Sequence, residues 1–200
     1  EGLWIEWYED GQKRRERNFK DGERDSTWTT WYENGNKKFL ASYSDGKLNG
    51  KYTRWYEGGI IKELDGEYLN NKKHKKWIYW STSGQKTEEI NYDNGVHHGS
   101  HIKWFGEKSD QHKKFHINYK DGKKDGIWHH WYSSGVDSLK ASYANGEKDG
   151  HWIWWRKNGL KDKEGTYKKE KKHGLWTIWN DSTGNAYHKL HEETYVNDAI

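Results

Sequence analysis

The sequence predicts an all-β fold: an elongated, single-layer antiparallel sheet or solenoid of about eight tandem 24-residue β-hairpin repeats. Three observations carry this. Trp recurs at a near-constant interval, two further aromatic columns run in step with it, and turn dipeptides punctuate the chain between them.

The first column is Trp7, Trp31, Trp55, Trp80, Trp104, Trp131, Trp155 and Trp179, at spacings of 24, 24, 25, 24, 27, 24 and 24 residues. Three residues ahead of each stands Trp4, Trp28, Tyr52, Trp77, His101, Trp128, Trp152 or Trp176. Together these columns hold 14 of the 15 Trp, leaving Trp154 outside. A third column reads Phe19, Tyr43, Tyr68, Tyr92, Tyr119, Tyr143, Tyr167 and Tyr195. After most Trp pairs comes a turn signal, such as Asp10-Gly11, Asn34-Gly35, Ser134-Gly135 or Thr183-Gly184. After most Tyr comes another, such as Asp21-Gly22, Asp45-Gly46, Asn94-Gly95, Asp121-Gly122 or Asn145-Gly146. Asp-Gly and Asn-Gly supply the positive φ angles that two-residue hairpin turns require. Each unit is therefore strand, turn, strand, turn, which predicts sixteen short strands and no helix.

Gly2, Gly50, Gly99, Gly126, Gly150 and Gly174 recur just before the leading aromatic column, where a strand Gly marks a bulge or a close backbone approach. Alternate strand residues share a face. Trp128, His130 and Tyr132 thus point one way and Ile127, His129 and Trp131 the other, so each face carries aromatic rings. One array over residues 1–200 follows, with repeats starting near 2, 26, 50, 75, 99, 126, 150 and 174.

Composition agrees with stacked rings in place of an aliphatic core. Only 30% of residues are hydrophobic and 33% are charged, yet there are 15 Trp and 14 Tyr. Such a chain offsets its ordering entropy by packing those large rings on one another. The absence of Pro suits densely paired hairpins. A net charge of +4 from 35 basic and 31 acidic residues is too mild and mixed to mark a nucleic-acid protein. There is no Cys, hence no disulfide framework, and no apolar run approaches a membrane span. The chain starts at Glu1 without Met and reads as a mature or partial sequence, so a targeting segment is not legible.

The pattern G-x-W-x-x-W-Y-x-x-G followed by Y-x-[D/N]-G-x-x-x-G resembles MORN repeats, and most closely the bacterial variant in antitoxin-annotated proteins of the YwqK type. The cleanest copy runs from Gly126 to Gly135 and on through Tyr143 to Gly150. The resemblance spans residues 2–197. Repeat five departs, with His101 in place of Trp and three residues inserted near Gly106–Phe115. Repeat eight loses the pattern after Gly184. The resemblance implies a twisted single-layer sheet of hairpins used for protein contact or, in some members, membrane association, with no shared catalytic residue.

No nucleophile motif, phosphate loop or metal signature appears, so an enzyme, a cofactor and a metal are not expected. His97, His98 and His101 cluster, as do His129 and His130, but neighbours in a strand face opposite ways. His112 and His116, beside the repeat-five insertion, are the one pair worth testing as ligands. Basic runs at Lys13–Arg15, Lys72–Lys76 and Lys168–Lys172 read as solvated positions at repeat turns that discourage aggregation.

The expected function is a non-enzymatic scaffold that binds a protein partner, as part of a larger assembly, through an aromatic-rich β surface. Its binding residues would be Trp7, Trp31, Trp55, Trp80, Trp104, Trp131, Trp155 and Trp179, with Trp7, Trp31, Trp131 and Trp155 the most exposed. Rings at regular intervals also fit a glycan-binding surface protein, and open strand edges fit a filament subunit. No nucleic-acid partner and no membrane span are expected. The sequence fixes no compartment, and Lys- and aromatic-rich repeats lean towards the bacterial envelope or a secreted protein.

Overall fold

The computed structural model describes residues 1–106, 112–180 and 188–199. Among them the fold is all-β, without helix, and every strand pairing is antiparallel. The described residues fall into two compact units, Glu1–His97 and His98–Ile200.

The first unit holds β1 (Gly2–Trp7), β2 (Lys13–Lys20), β3 (Glu23–Trp31), β4 (Lys37–Ser44), β5 (Lys47–Trp55), β6 (Lys62–Leu69), β7 (Lys72–Trp80) and β8 (Lys86–Asp93). Each pairs with the next in chain order. The second holds β9 (Val96–Trp104, from His98 on), β10 (Lys113–Lys120), β11 (Lys123–Trp131), β12 (Asp137–Ala144), β13 (Glu147–Lys148), β14 (Gly150–Trp155), β15 (Lys161–Lys168), β16 (Lys171–Trp179) and β17 (Lys189–Tyr195), which follow the same rule except that β12 pairs with both β13 and β14. Among the described residues seventeen strands stand where sixteen were expected, because Asp149 divides one strand into β13 and β14. The expected turn at Thr183-Gly184, the fading of repeat eight just after it and insertion residues 107–111 lie outside the described residues.

Turn chemistry explains the pairing. Asp21 and Gly22 both adopt positive φ (52° and 81°), as do Asp45-Gly46, Asn94-Gly95, Asp121-Gly122 and Asn145-Gly146. These are the paired left-handed residues of a tight hairpin turn. Asn70-Asn71, Lys169-Glu170 and Asn197-Asp198 take the same shape without Gly, which is why the sequence did not flag them. The recurrent Gly before the leading Trp also has positive φ, 105° at Gly50 for instance, and Ser26 and Lys75 hold it in the two repeats that lack Gly. It sits in a bulge, as the register shift between Glu16 and Asn18 against β3 records.

A sheet with no second layer must bury its apolar area within itself, and one face of each unit does so by interleaving two aromatic columns. Phe19 lies between Trp4 and Trp28, with ring centres 6.3 and 5.2 Å away. Trp28 meets Tyr43 at 5.1 Å, and Tyr68 meets Trp77 at 4.9 Å. In the second unit Tyr143, Trp152, Tyr167 and Trp176 continue at 5.3, 5.3 and 5.0 Å. Most of these rings are tilted or edge-on, which suits their quadrupoles. Trp77 is 1% exposed and Trp152 and Trp176 are each 5% exposed. Trp154, outside the sequence columns, joins this packed face at 5.4 Å from Trp152 and 5.9 Å from Trp176.

Candidate binding surface

The other face carries the eight Trp predicted to bind. The assignment follows from strand alternation and from the rings: His130 stacks with Trp128 on the packed face, while His129 lies 3.9 Å from Trp131 on the opposite one. A bulge precedes most of these Trp, as between Glu6 and Trp7 or His130 and Trp131, without undoing that alternation. Trp7 is exposed, while Trp31, Trp55, Trp80, Trp104, Trp131, Trp155 and Trp179 are half-buried. Trp31, Trp131 and Trp155 share that half-buried state with the rest of their column.

Their backbones are held by a neighbour. Each of these Trp ends its strand, and from the residue just after, the phenol hydroxyls of Tyr8, Tyr32, Tyr56 and Tyr132 donate to the carbonyls of Trp31, Trp55, Trp80 and Trp155, each at 2.8 Å. Arg156 takes the Tyr position and donates to the Trp179 carbonyl at 2.7 Å. Each bond staples one repeat to the next.

Two rows escaped the sequence reading. In register with the Trp stand Lys13, Lys37, Lys62, Lys86, Lys113, Asp137, Lys161 and Lys189, and a carboxylate often follows three residues on. Ion pairs result between Lys13 and Glu16 (2.6 Å), Lys62 and Asp65 (3.1 Å), Lys161 and Glu164 (2.9 Å), and Lys189 and Glu192 (2.6 Å). The same ammonium groups approach the next Trp ring, Lys13 at 5.8 Å from Trp31 and Lys161 at 5.3 Å from Trp179. Such contacts are each worth about 0.5–1 kcal/mol when exposed. Between the Trp columns, Thr53 is fully buried and donates to Asp65 at 2.5 Å. Lys recurring six residues after four of the eight Trp was the available signal.

The second row caps the packed face. Arg24, Lys73, Lys124, Lys148 and Lys172, four residues ahead of a leading Trp, each lie over that Trp ring and a Tyr ring of the following strand. Lys124 sits 3.7 Å from Trp128 and 4.9 Å from Tyr143, and burial lowers its pKa. Burial first, then Glu170, pushes the Tyr143 phenol up to about 12. The basic runs are thus not simply solvated turn positions. Apart from the Lys169-Glu170 turn they lie in strands, where Lys73 and Lys172 cover rings while Lys75 and Lys76 pair with Glu67 (2.8 Å) and Glu89 (2.7 Å).

The His pairs are dispersed. His97 packs edge-on against Tyr92 at 4.8 Å, His98 meets Asp121 at 3.3 Å, and His101 packs edge-on against Phe115 at 4.9 Å. His112 contacts the Ser133 carbonyl at 3.2 Å, whereas His116 meets the Ser100 hydroxyl at 3.0 Å. No group of three or more His, Asp or Glu among the described residues could hold a metal ion, and none of their helices could cross a membrane, there being none.

A family model for the MORN repeat variant matches residues 1–21, 24–45 and 73–94, each match falling on strand-turn-strand units of the first unit. These three segments are MORN repeats of the variant type. No curated protein matches the chain. The MORN hairpin accounts for the packed face, and its aromatic columns lie where the repeat pattern put them. MORN repeats are scaffold modules of protein and membrane interaction, a class without a shared catalytic apparatus.

Proposed function

We propose that this MORN repeat protein, of the bacterial YwqK-like variant, is a non-enzymatic scaffold that binds a protein partner through the Trp-bearing face of its sheets. The observation that carries it is the difference between the two faces. On one, cations and interleaved rings close the surface. On the other, half-buried Trp alternate in register with Lys and with carboxylates. Trp beside balanced charge is the composition of a protein interface: flat apolar area desolvates, while the flanking pairs set register and exclude wrong partners. The eight Trp are the contact residues in this reading, and the rest of the face supplies complementarity.

The test is affinity capture with the native chain and with Trp31→Ala and Trp131→Ala variants, each checked for native far-ultraviolet circular dichroism. The reading expects one partner recovered in stoichiometric amount by the native chain and depleted with either variant. Capture unaffected by both substitutions would overturn it. Titration of Trp fluorescence by soluble glycans, with no protein recovered, would establish a glycan surface in its place.

A further inference from the structure

In the second unit the charge ladder of the Trp-bearing face is inverted at one rung. Elsewhere the rung is Lys followed three residues later by an acid or an uncharged residue. In β12 it is Asp137 followed by Lys140, and in β10 the acid position is His116. Asp137 is taken by His129, 2.8 Å away on the paired strand. Lys140, exposed and in register with His129 on one side and Ile153 on the other, has no carboxylate partner among the described residues. It rims a shallow groove of about 290 Å³ lined with Ile127, Ser142, His151 and Ile153. Ile127 is 46% exposed. His151 is directed to Glu164 at 3.3 Å, a carboxylate that Lys161 also holds, so neither acid neutralises Lys140.

We propose that this groove docks an acidic segment of a protein partner, with one carboxylate on the Lys140 ammonium and a flanking aliphatic side chain over Ile127 and Ile153. The inference rests on the protein-scaffold reading above and names the partner's chemistry. The charge arrangement selects it. A single uncompensated ammonium between two Ile, with Asp137 and Glu164 close by, matches one negative charge beside apolar atoms. Phosphate backbones and anionic bilayers call for several clustered cations, which the two nearby carboxylates oppose. Partner carboxylates gain most where the cation has no competing acid and an apolar floor excludes water.

The experiment is fluorescence anisotropy of the full chain with labelled peptides of alternating Glu and Leu, or alternating Lys and Leu, and co-sedimentation with phosphatidylserine vesicles. The Glu/Leu peptide is expected to bind, and Lys140→Glu to weaken it at least about tenfold. The exchange variant Asp137→Lys with Lys140→Glu, which restores the common rung, is expected to lose the same binding. Lys47→Glu, at an exposed site in the first unit, is expected to leave it intact. Equal binding by Lys140→Glu, equal binding of the Lys/Leu peptide, binding to vesicles in place of the Glu/Leu peptide, or no binding would each overturn the proposal. A captured protein that is lost with Trp131→Ala yet retained by Lys140→Glu would overturn this assignment and leave the scaffold reading standing.

Discussion

Tyr32 donates its phenol hydroxyl to the backbone carbonyl of Trp55, 2.8 Å away and one repeat further along the chain. The same bond recurs from Tyr8, Tyr56 and Tyr132, and it converts a local strand end into a tie between repeats. Repeats that contact mainly their neighbours depend on such interface terms for cooperativity. Tyr32→Phe keeps the ring and removes the donor. The expected loss is about 1 kcal/mol in urea unfolding, since water can reach a half-buried carbonyl and partly replace the bond. A midpoint unchanged within error would show that the tie contributes nothing.

Gly66 and Gly165 lie directly beneath Trp77 and Trp176. A Cβ on either would fall 2.4 or 2.2 Å from the indole Cδ2, far inside contact distance. The rings have little room to retreat, because their indole N–H groups donate to the carbonyls of Glu67 and Thr166 at 3.0 and 3.1 Å. Both rings are also almost fully buried. Gly66→Ala and Gly165→Ala should each destabilise by roughly 1–3 kcal/mol, the usual range for overpacking. Thermal unfolding followed by near-ultraviolet circular dichroism would register both the lost stability and the displaced Trp. A variant as stable as the native chain would refute the close fit.

These two glycines also mark where sequence reading stops. The columns of Trp and Tyr were legible because identical packing needs recur with every repeat, and Asp-Gly or Asn-Gly turns declare their φ angles. Gly66 and Gly165 were silent because the repeat tolerates Ala at the same place, as at Ala41 and Ala141. Only the ring's position shows that nothing larger than Gly fits there. The Trp-bearing face was read as a line of rings, yet its regularity lies equally in the Lys that pair in register with them. Half of that row stood six residues after its Trp, but a single Lys carries no structural signature until strand register places it beside a ring. Lys140 was beyond reach for a further reason: a charge is uncompensated only relative to neighbours from other strands.

Lys169 and Glu170 form a hairpin turn with φ of 49° and 69°, angles that most L residues avoid. Asn occupies the equivalent first position at Asn70, Asn94 and Asn145. Lys169→Asn should therefore stabilise the chain by about 0.5–1 kcal/mol, through a residue better suited to the left-handed region. Glu170→Gly should do less. Glu170 accepts the Lys148 backbone N–H at 2.5 Å and its carboxylate lies 3.5 Å from the Lys148 ammonium, so relief of strain is offset by lost bonds. Equal gains from the two substitutions in chemical denaturation would contradict this division.

Stability should rise with pH across the histidine range. Burial, followed by Lys124, Lys114 and His129, lowers the pKa of His130; burial, followed by Lys113 and His129, lowers that of His116. The unfolded chain, with His near 6.5, then binds protons that the folded chain refuses, so unfolding becomes easier as pH drops below that value. Above it both states are neutral at these positions and the contribution is flat. Carboxylates held low by Lys, such as Glu164, where hydrogen bonds and charge from Lys161 and His151 outweigh burial, act only lower, as pH falls through their folded pKa from the ordinary 4.5. Measurements between about pH 5 and pH 7.5 therefore isolate the histidines. His130 offers the sharper test, because its Nε2 is buried without a partner while its ring packs 4.8 Å from Trp128 and 5.5 Å from Phe115. His130→Phe retains an aromatic ring there, removes the unpaired nitrogen and abolishes that site's titration. Its stability advantage over the native chain should be largest at the acidic end and shrink towards neutrality. An advantage independent of pH would mean that His130 titrates alike in the folded and unfolded chains.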